Sequence, residues 1–138
     1  MRALFVISCG GLYNFFNFRH QRKRIVSSVF CLFIEKDESK LELHGLCLNK
    51  YGKLDASSID LNNYYKIDNG SFASDYYGER SRNLANTVRD PTLDHTSAEV
   101  LLRAKLRDGR QAVVNLNINI ENRDGSFHYE RKYVRCWF

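Results

Sequence analysis

The sequence predicts an all-β domain made of two related halves. Three observations carry that prediction: a run of strict period-2 alternation that ends in an Asp-Gly turn, a series of short strand-like segments bounded by glycine turns, and an internal repeat at an offset of 55 residues. In residues 112–120, Val114, Leu116, Ile118 and Ile120 alternate with Asn115, Asn117 and Asn119, so one face is aliphatic and the other carries amides. This predicts a half-buried strand. Asn122-Arg123-Asp124-Gly125 follows, and its Asp-Gly pair supplies the positive φ angles of a tight hairpin turn before Phe127 and Tyr129 alternate again.

The other elements follow in chain order. Residues 29–34, 41–48 and 101–107 read as strands, the last two with an apolar residue at every second position over part of their length. Gly52 and Asp108-Gly109 mark the turns after them. Residues 80–98, with Asn83, Asn86, Asp90-Pro91, Asp94 and Thr96, show no sustained period and predict a long surface loop.

Size and charge bound the function. A chain of 138 residues and 16.1 kDa is one domain with a core of its own. Its 21 basic and 16 acidic residues leave +5, which as a whole would suit nucleic acid or a membrane surface. All of that surplus lies in residues 1–30, where Arg2, Arg19, Arg22, Lys23 and Arg24 face no acidic residue, so residues 31–138 balance at 16 of each sign. Residues 1–26 therefore read as a basic extension or a targeting segment, since an apolar run at residues 3–8 follows Arg2 but is shorter than a secretory core and far shorter than a membrane span. Secretion follows if the segment is a working signal, and a cytoplasmic location otherwise. The stretch RHQRKR at 19–24, with Phe15, Phe16 and Phe18 nearby, is the one place where nucleic acid would bind.

The repeat lays SIDLNNYYKIDNGSF at residues 58–72 over VVNLNINIENRDGSF at 113–127, with Leu61/Leu116, Asn62/Asn117, Gly70/Gly125, Ser71/Ser126 and Phe72/Phe127 identical. Upstream, Leu43-His44-Gly45-Leu46-Cys47 corresponds to Leu102-Arg103-Ala104-Lys105-Leu106, each followed by a glycine turn. Taken together, Leu43-x-Gly45-x-Cys47, Ser57 to Asn62, Asp68-Asn69-Gly70 and their second copies at Leu102-x-Ala104-x-Leu106, Val114 to Asn117 and Asn122-x-Asp124-Gly125-x-Phe127 resemble the cyanovirin-N family of carbohydrate-binding proteins. The resemblance covers about residues 27–130.

That resemblance implies a domain at 27–132, with repeat one at about 27–78, repeat two at about 79–130, and a tail at 133–138. It implies two pseudo-symmetric halves of triple-stranded sheets plus β-hairpins, with strands exchanged between the repeats, and it allows a domain-swapped homodimer. It also implies a lectin that takes mannose-containing glycans of the high-mannose type by hydrogen bonds, with no metal or cofactor. A first sugar site maps to Asn122 and Asp124 with Asn49 and Lys50; a second maps to Asn69, Glu79, Arg107 and Asp108, with Tyr76 and Tyr77 as neighbouring rings. Departures occur at Leu48, Asn49 and Lys50, where the family has acidic and hydroxyl groups, and at Val29 and Phe30, where it is polar. Asn-x-Asp-Gly is also simply the chemistry of a hairpin turn, so a member that keeps the fold without binding sugar is the alternative.

Four cysteines allow three full pairings. The resemblance pairs Cys31 with Cys47 and finds the second family bridge replaced at both ends, by Ser81 and Leu106, which leaves Cys9 and Cys136 as thiols or as a pair of their own. No catalytic residue is assigned: His20, His44, His95 and His128 lack metal-ligand spacing, and no phosphate loop or nucleophile motif occurs. The chain is read as a binding protein and not an enzyme.

Overall fold

The computed structural model describes residues 22–74 and 84–130. It is built of eleven short strands with two four-residue helical turns: β1 (Arg22–Arg24), α1 (Ile25–Ser28), β2 (Val29–Lys36), β3 (Leu41–Leu48), β4 (Leu54–Asp60), β5 (Tyr65–Asp68), β6 (Ser71–Ser74), α2 (Leu84–Thr87), β7 (Val88–His95), β8 (Val100–Leu106), β9 (Gln111–Asn115), β10 (Ile120–Arg123) and β11 (Ser126–Tyr129). All pairings are antiparallel, in sheets ordered β2-β3-β4, β7-β8-β9 and β1-β10-β11, with a β5-β6 hairpin.

The two triple-stranded sheets repeat one another in detail. Each first strand carries a bulge with a residue at positive φ, Cys31 at 54° and Asp90 at 50°, and each shifts register there, between Phe30 and Phe33 and between Arg89 and Thr92. Each third strand ends in a 3-10 turn capped by the residue before it. Asp60 accepts from the Asn62 and Leu41 amides, and Asn115 accepts from the Asn117 and Val100 amides. Inside each turn an asparagine fastens the other half: the Asn62 side-chain oxygen accepts from Ala85 N at 3.2 Å, and that of Asn117 accepts from Val26 N at 3.2 Å.

The structure overturns two expectations, the first of them through these capping bonds. Residues 112–120 are not one strand, because the Asn115 side chain competes for the Asn117 amide and turns the backbone into a 3-10 turn over Leu116–Ile118. The alternation is therefore broken: Asn117 is buried while Ile118 is 53% exposed. The long loop expected at 80–98 is, from 84 to 95, the turn α2 followed by strand β7. β7 lies at a sheet edge and buries only Val88, so it needs no apolar alternation, and Pro91 falls in its bulge, where no ladder bond is lost.

Strands cross between halves as well. The β10-β11 hairpin of repeat two pairs with β1, which precedes repeat one, and Phe127 N donates to Ser57 Oγ on β4 at 3.1 Å. β1 lies ahead of residue 27, and its pairing with β10 makes Arg22, Lys23 and Arg24 part of a sheet. Phe127 packs over Gly45, where an added Cβ would lie 3.1 Å from its ring and 2.6 Å from Val29 Cγ1. Repeat two has Ala104 at that place. The core runs through both halves along Leu41, Leu43 and Cys47 and along Val100, Leu102, Ala104 and Leu106, the inward positions of β3 and β8.

Candidate functional site

The first candidate surface forms where the β10-β11 turn of repeat two meets the loop after β3 of repeat one. Asp124 and Gly125 hold φ of 47° and 93°, the paired left-handed conformation of a two-residue hairpin turn. Asn122 supports the turn from beneath: its side-chain oxygen accepts from Gly125 N at 2.9 Å, and its nitrogen donates to Leu48 O at 2.9 Å, Ser28 Oγ at 3.2 Å and Ser28 O at 3.3 Å. The side chain is fully buried, so its amide faces no solvent.

Asn49 plays a matching part in the loop. Its side-chain oxygen accepts from Tyr51 N at 2.9 Å and Lys53 N at 3.0 Å, and its nitrogen donates to Asp55 Oδ2 at 3.0 Å. Loop and turn then join directly, as Lys50 N donates to Asp124 Oδ1 at 2.8 Å and Lys50 Nζ stands 4.0 Å from Oδ2. Gly125 fits because it has no side chain: a Cβ there would strike the Asp55 carboxylate. What reaches solvent is the Asp124 and Asp55 carboxylates, the Lys50 ammonium and the Tyr51 ring, which is 75% exposed with Lys50 Nζ 5.2 Å from its centroid.

All four residues expected at the first site are thus together, in two roles. Asn49 and Asn122 hold the backbone, whereas Lys50 and Asp124 present groups outward. Tyr51 and Asp55 were missed. The Tyr51 signal was an aromatic in a polar glycine turn; Asp55 had none, because only the β3-β4 register, which sets it opposite Cys47, brings it to the loop.

The pseudo-equivalent surface pairs the β5-β6 turn of repeat one with residues 107–110 of repeat two. Asn69 and Gly70 have φ of 56° and 81°, and the Arg110 guanidinium lies against Gly70. Arg110 is held by Asp108, which accepts from its backbone N at 2.9 Å and from Nε at 2.6 Å. The backbone bond first and the side-chain bond second hold the Asp108 carboxyl below the usual carboxylate range. Arg107 is exposed, and among the described residues no hydrogen bond ties it to Asn69 as Lys50 is tied to Asp124. Glu79, Tyr76 and Tyr77 lie outside the described residues, as do Cys9 and Cys136.

The Cys31–Cys47 disulfide is not present in the structure. Val29, not Cys31, faces Cys47 across the ladder, and Cys31 sits in the bulge at positive φ. Burial, then the charge of Asp55, pushes the Cys47 thiol up to about 12. Among the described residues, three metal-ligating side chains come together only at Glu35, Glu42 and His44, away from both surfaces, and no helix is long and apolar enough to cross a membrane.

A two-repeat all-β domain, with the β10-β11 hairpin of one half paired to β1 ahead of the other and a polar turn-and-loop surface at each hairpin turn, is the class that fold and site define. The CVNH domain family matches residues 28–128, and the chain belongs to that family. Among solved structures it is similar to GzCVNH of Gibberella zeae, with 29% identity over 75% of this chain and 94% of that one and a TM-score of 0.59. It is also similar in fold to a MoCVNH3 variant in complex with (N-GlcNAc)4, at 19% identity, coverage of 78% and 97% and a TM-score of 0.57. Microvirin in complex with mannobiose follows at 17% identity, 78% and 98% coverage and a TM-score of 0.55. No curated protein matches the chain.

Proposed function

We propose that this protein binds oligosaccharides through the surface made by residues 49–55 and the 122–125 turn, taking mannose-containing glycans by hydrogen bonds without a metal at that surface. The observation that carries the reading is the Lys50 N to Asp124 Oδ1 bond, which fixes a loop of one repeat against a turn of the other. Fixed carboxylates, an ammonium and an exposed ring on a shallow surface suit adjacent sugar hydroxyls, which need donors and acceptors close together and an apolar face to stack on. Family membership and the sugar complexes of MoCVNH3 and microvirin support the same reading. Asn69, Glu79, Arg107 and Asp108 are the proposed second subsite, and a domain-swapped homodimer would use the same hairpin contacts between two chains. No catalytic role is proposed.

One observation favours a second reading, a member that keeps the fold without binding sugar: the amides of Asn49 and Asn122 are committed to internal bonds. A glycan array followed by calorimetry on mannose oligosaccharides separates the two. Binding weakened at least about tenfold by Asp124→Ala and by Lys50→Ala, each still folded, supports the lectin, since one charged hydrogen bond is worth roughly 1.5 kcal/mol or more. A folded wild-type chain that binds no glycan overturns it in favour of the second reading.

A further inference from the structure

The outward face of the β2-β3 ladder gathers Glu35, Glu42 and His44, with one ligand atom from each lying within 4.8 Å of the others. The register dictates this grouping: Glu35 faces Glu42, and Phe33 faces His44, so strand period 2 stands all four side chains on one side of the sheet. Two carboxylates directly opposed across a ladder repel one another. The imidazole does not relieve them with a hydrogen bond. His44 Nε2 lies 3.5 Å from Glu35 Oε1 and 3.9 Å from Glu42 Oε1, yet it is shut off from solvent and has no hydrogen-bond partner. The Phe33 ring stacks flat on the imidazole, 4.7 Å between centroids at 4°, and so holds Nε2 toward the carboxylates.

Repeat two serves as an internal comparison. Its register places Asp94, Leu101, Arg103 and Thr92 where repeat one has Glu35, Glu42, His44 and Phe33. There Arg103 Nε bonds Asp94 Oδ2 at 2.9 Å, an arginine side chain in the place of the imidazole. Repeat one puts an imidazole nitrogen and a second carboxylate in the same place. Donor atoms around a tetrahedral Zn2+ stand about 3.4 Å apart for bonds of about 2.1 Å, so the two histidine-to-carboxylate separations need to close by little.

We propose that Glu35, Glu42 and His44 form a site for one divalent transition-metal ion of the Zn2+ type, held by a histidine nitrogen and two carboxylate oxygens with water completing the coordination. Spacing in the sequence conceals the site, since residues 35, 42 and 44 meet only through strand pairing. The test is Zn2+ calorimetry on the full reduced chain, paired with Co2+ added at substoichiometric levels to the isotope-labelled protein. One Zn2+ is expected to bind, with affinity reduced at least about tenfold in both Glu42→Gln and His44→Gln and unchanged in Asp94→Asn of repeat two. Co2+ is expected to broaden the resonances of Phe33, Glu35, Glu42 and His44 first. This mapping uses the wild type and does not depend on any variant folding. Absence of saturable Zn2+ binding overturns the proposal. So does Co2+ held by cysteine thiols, seen as sulfur charge-transfer absorption with no broadening at His44.

Discussion

Replacing Asn122 with alanine separates support of the fold from contact with ligand. The side chain is fully buried and makes four hydrogen bonds, one accepted from Gly125 N and three donated, to Leu48 O, Ser28 Oγ and Ser28 O. Asn122→Ala leaves the buried Gly125 amide and the Leu48 carbonyl without their partner. Stranding a buried polar group costs about 1–3 kcal/mol, so two of them predict a loss of roughly 2–6 kcal/mol. That is a large part of the 5–15 kcal/mol that a domain of this size has in total, and at about 4 °C per kcal/mol corresponds to a fall in Tm of roughly 8–24 °C. Urea unfolding followed by circular dichroism measures it, with a lowered midpoint at unchanged slope marking a stability effect. A loss under about 1 kcal/mol together with abolished glycan binding would refute the reasoning and make Asn122 a ligand contact.

Asp124→Ala, in contrast, removes an exposed hydrogen bond from Lys50 N and an exposed ion pair with Lys50, and is expected to cost about 1–2 kcal/mol of stability, less than Asn122→Ala, while weakening glycan binding, which calorimetry and unfolding on the same sample check. Gly45→Ala forces a Cβ to within 2.6 Å of Val29 Cγ1 and against the Phe127 ring, and is expected to cost about 1–3 kcal/mol of stability by overpacking; an unchanged midpoint would contradict the tight seat of the exchanged hairpin. The Cys47 thiol, pushed up to about 12, is expected to resist a disulfide reagent at pH 8 until urea is added, and native labelling at the rate of an unfolded thiol would count against its burial. Because the unfolded thiol ionises near pH 9 and the folded one near 12, this group's contribution is complete below pH 9 and declines above it by about 1 kcal/mol per pH unit, measurable as a falling midpoint in alkaline unfolding.

Much of the architecture was legible from local chemistry. The repeat, strand β3 at its observed bounds, the glycine turns and the Asp124-Gly125 hairpin each depend on residues close in the chain, where alternation and positive φ leave a direct trace. The trace failed where side chains competed with the backbone or where a strand had nothing to bury. Asn115 broke the alternation of residues 112–120, and β7 at its edge needed no apolar pattern. At the candidate site, the identities of Asn49, Lys50, Asn122 and Asp124 were readable from sequence, but their roles were not. Whether an amide faces a ligand or its own backbone depends on which residues 74 positions away lie beneath it, and Asn122 donating to Leu48 O settles that for this side chain.

The sequence by itself determined the all-β class, its two-fold repeat and the turn chemistry, because these follow from periodicity and from the φ angles that Gly, Asn and Asp tolerate. Tertiary structure alone decided that β1 enters the fold, that Asn122 is a strut and Asp124 a presented carboxylate, and that Glu35, Glu42 and His44 meet on one face. Each of those is set by strand register and burial, which are properties of pairs of segments and are written in neither segment alone.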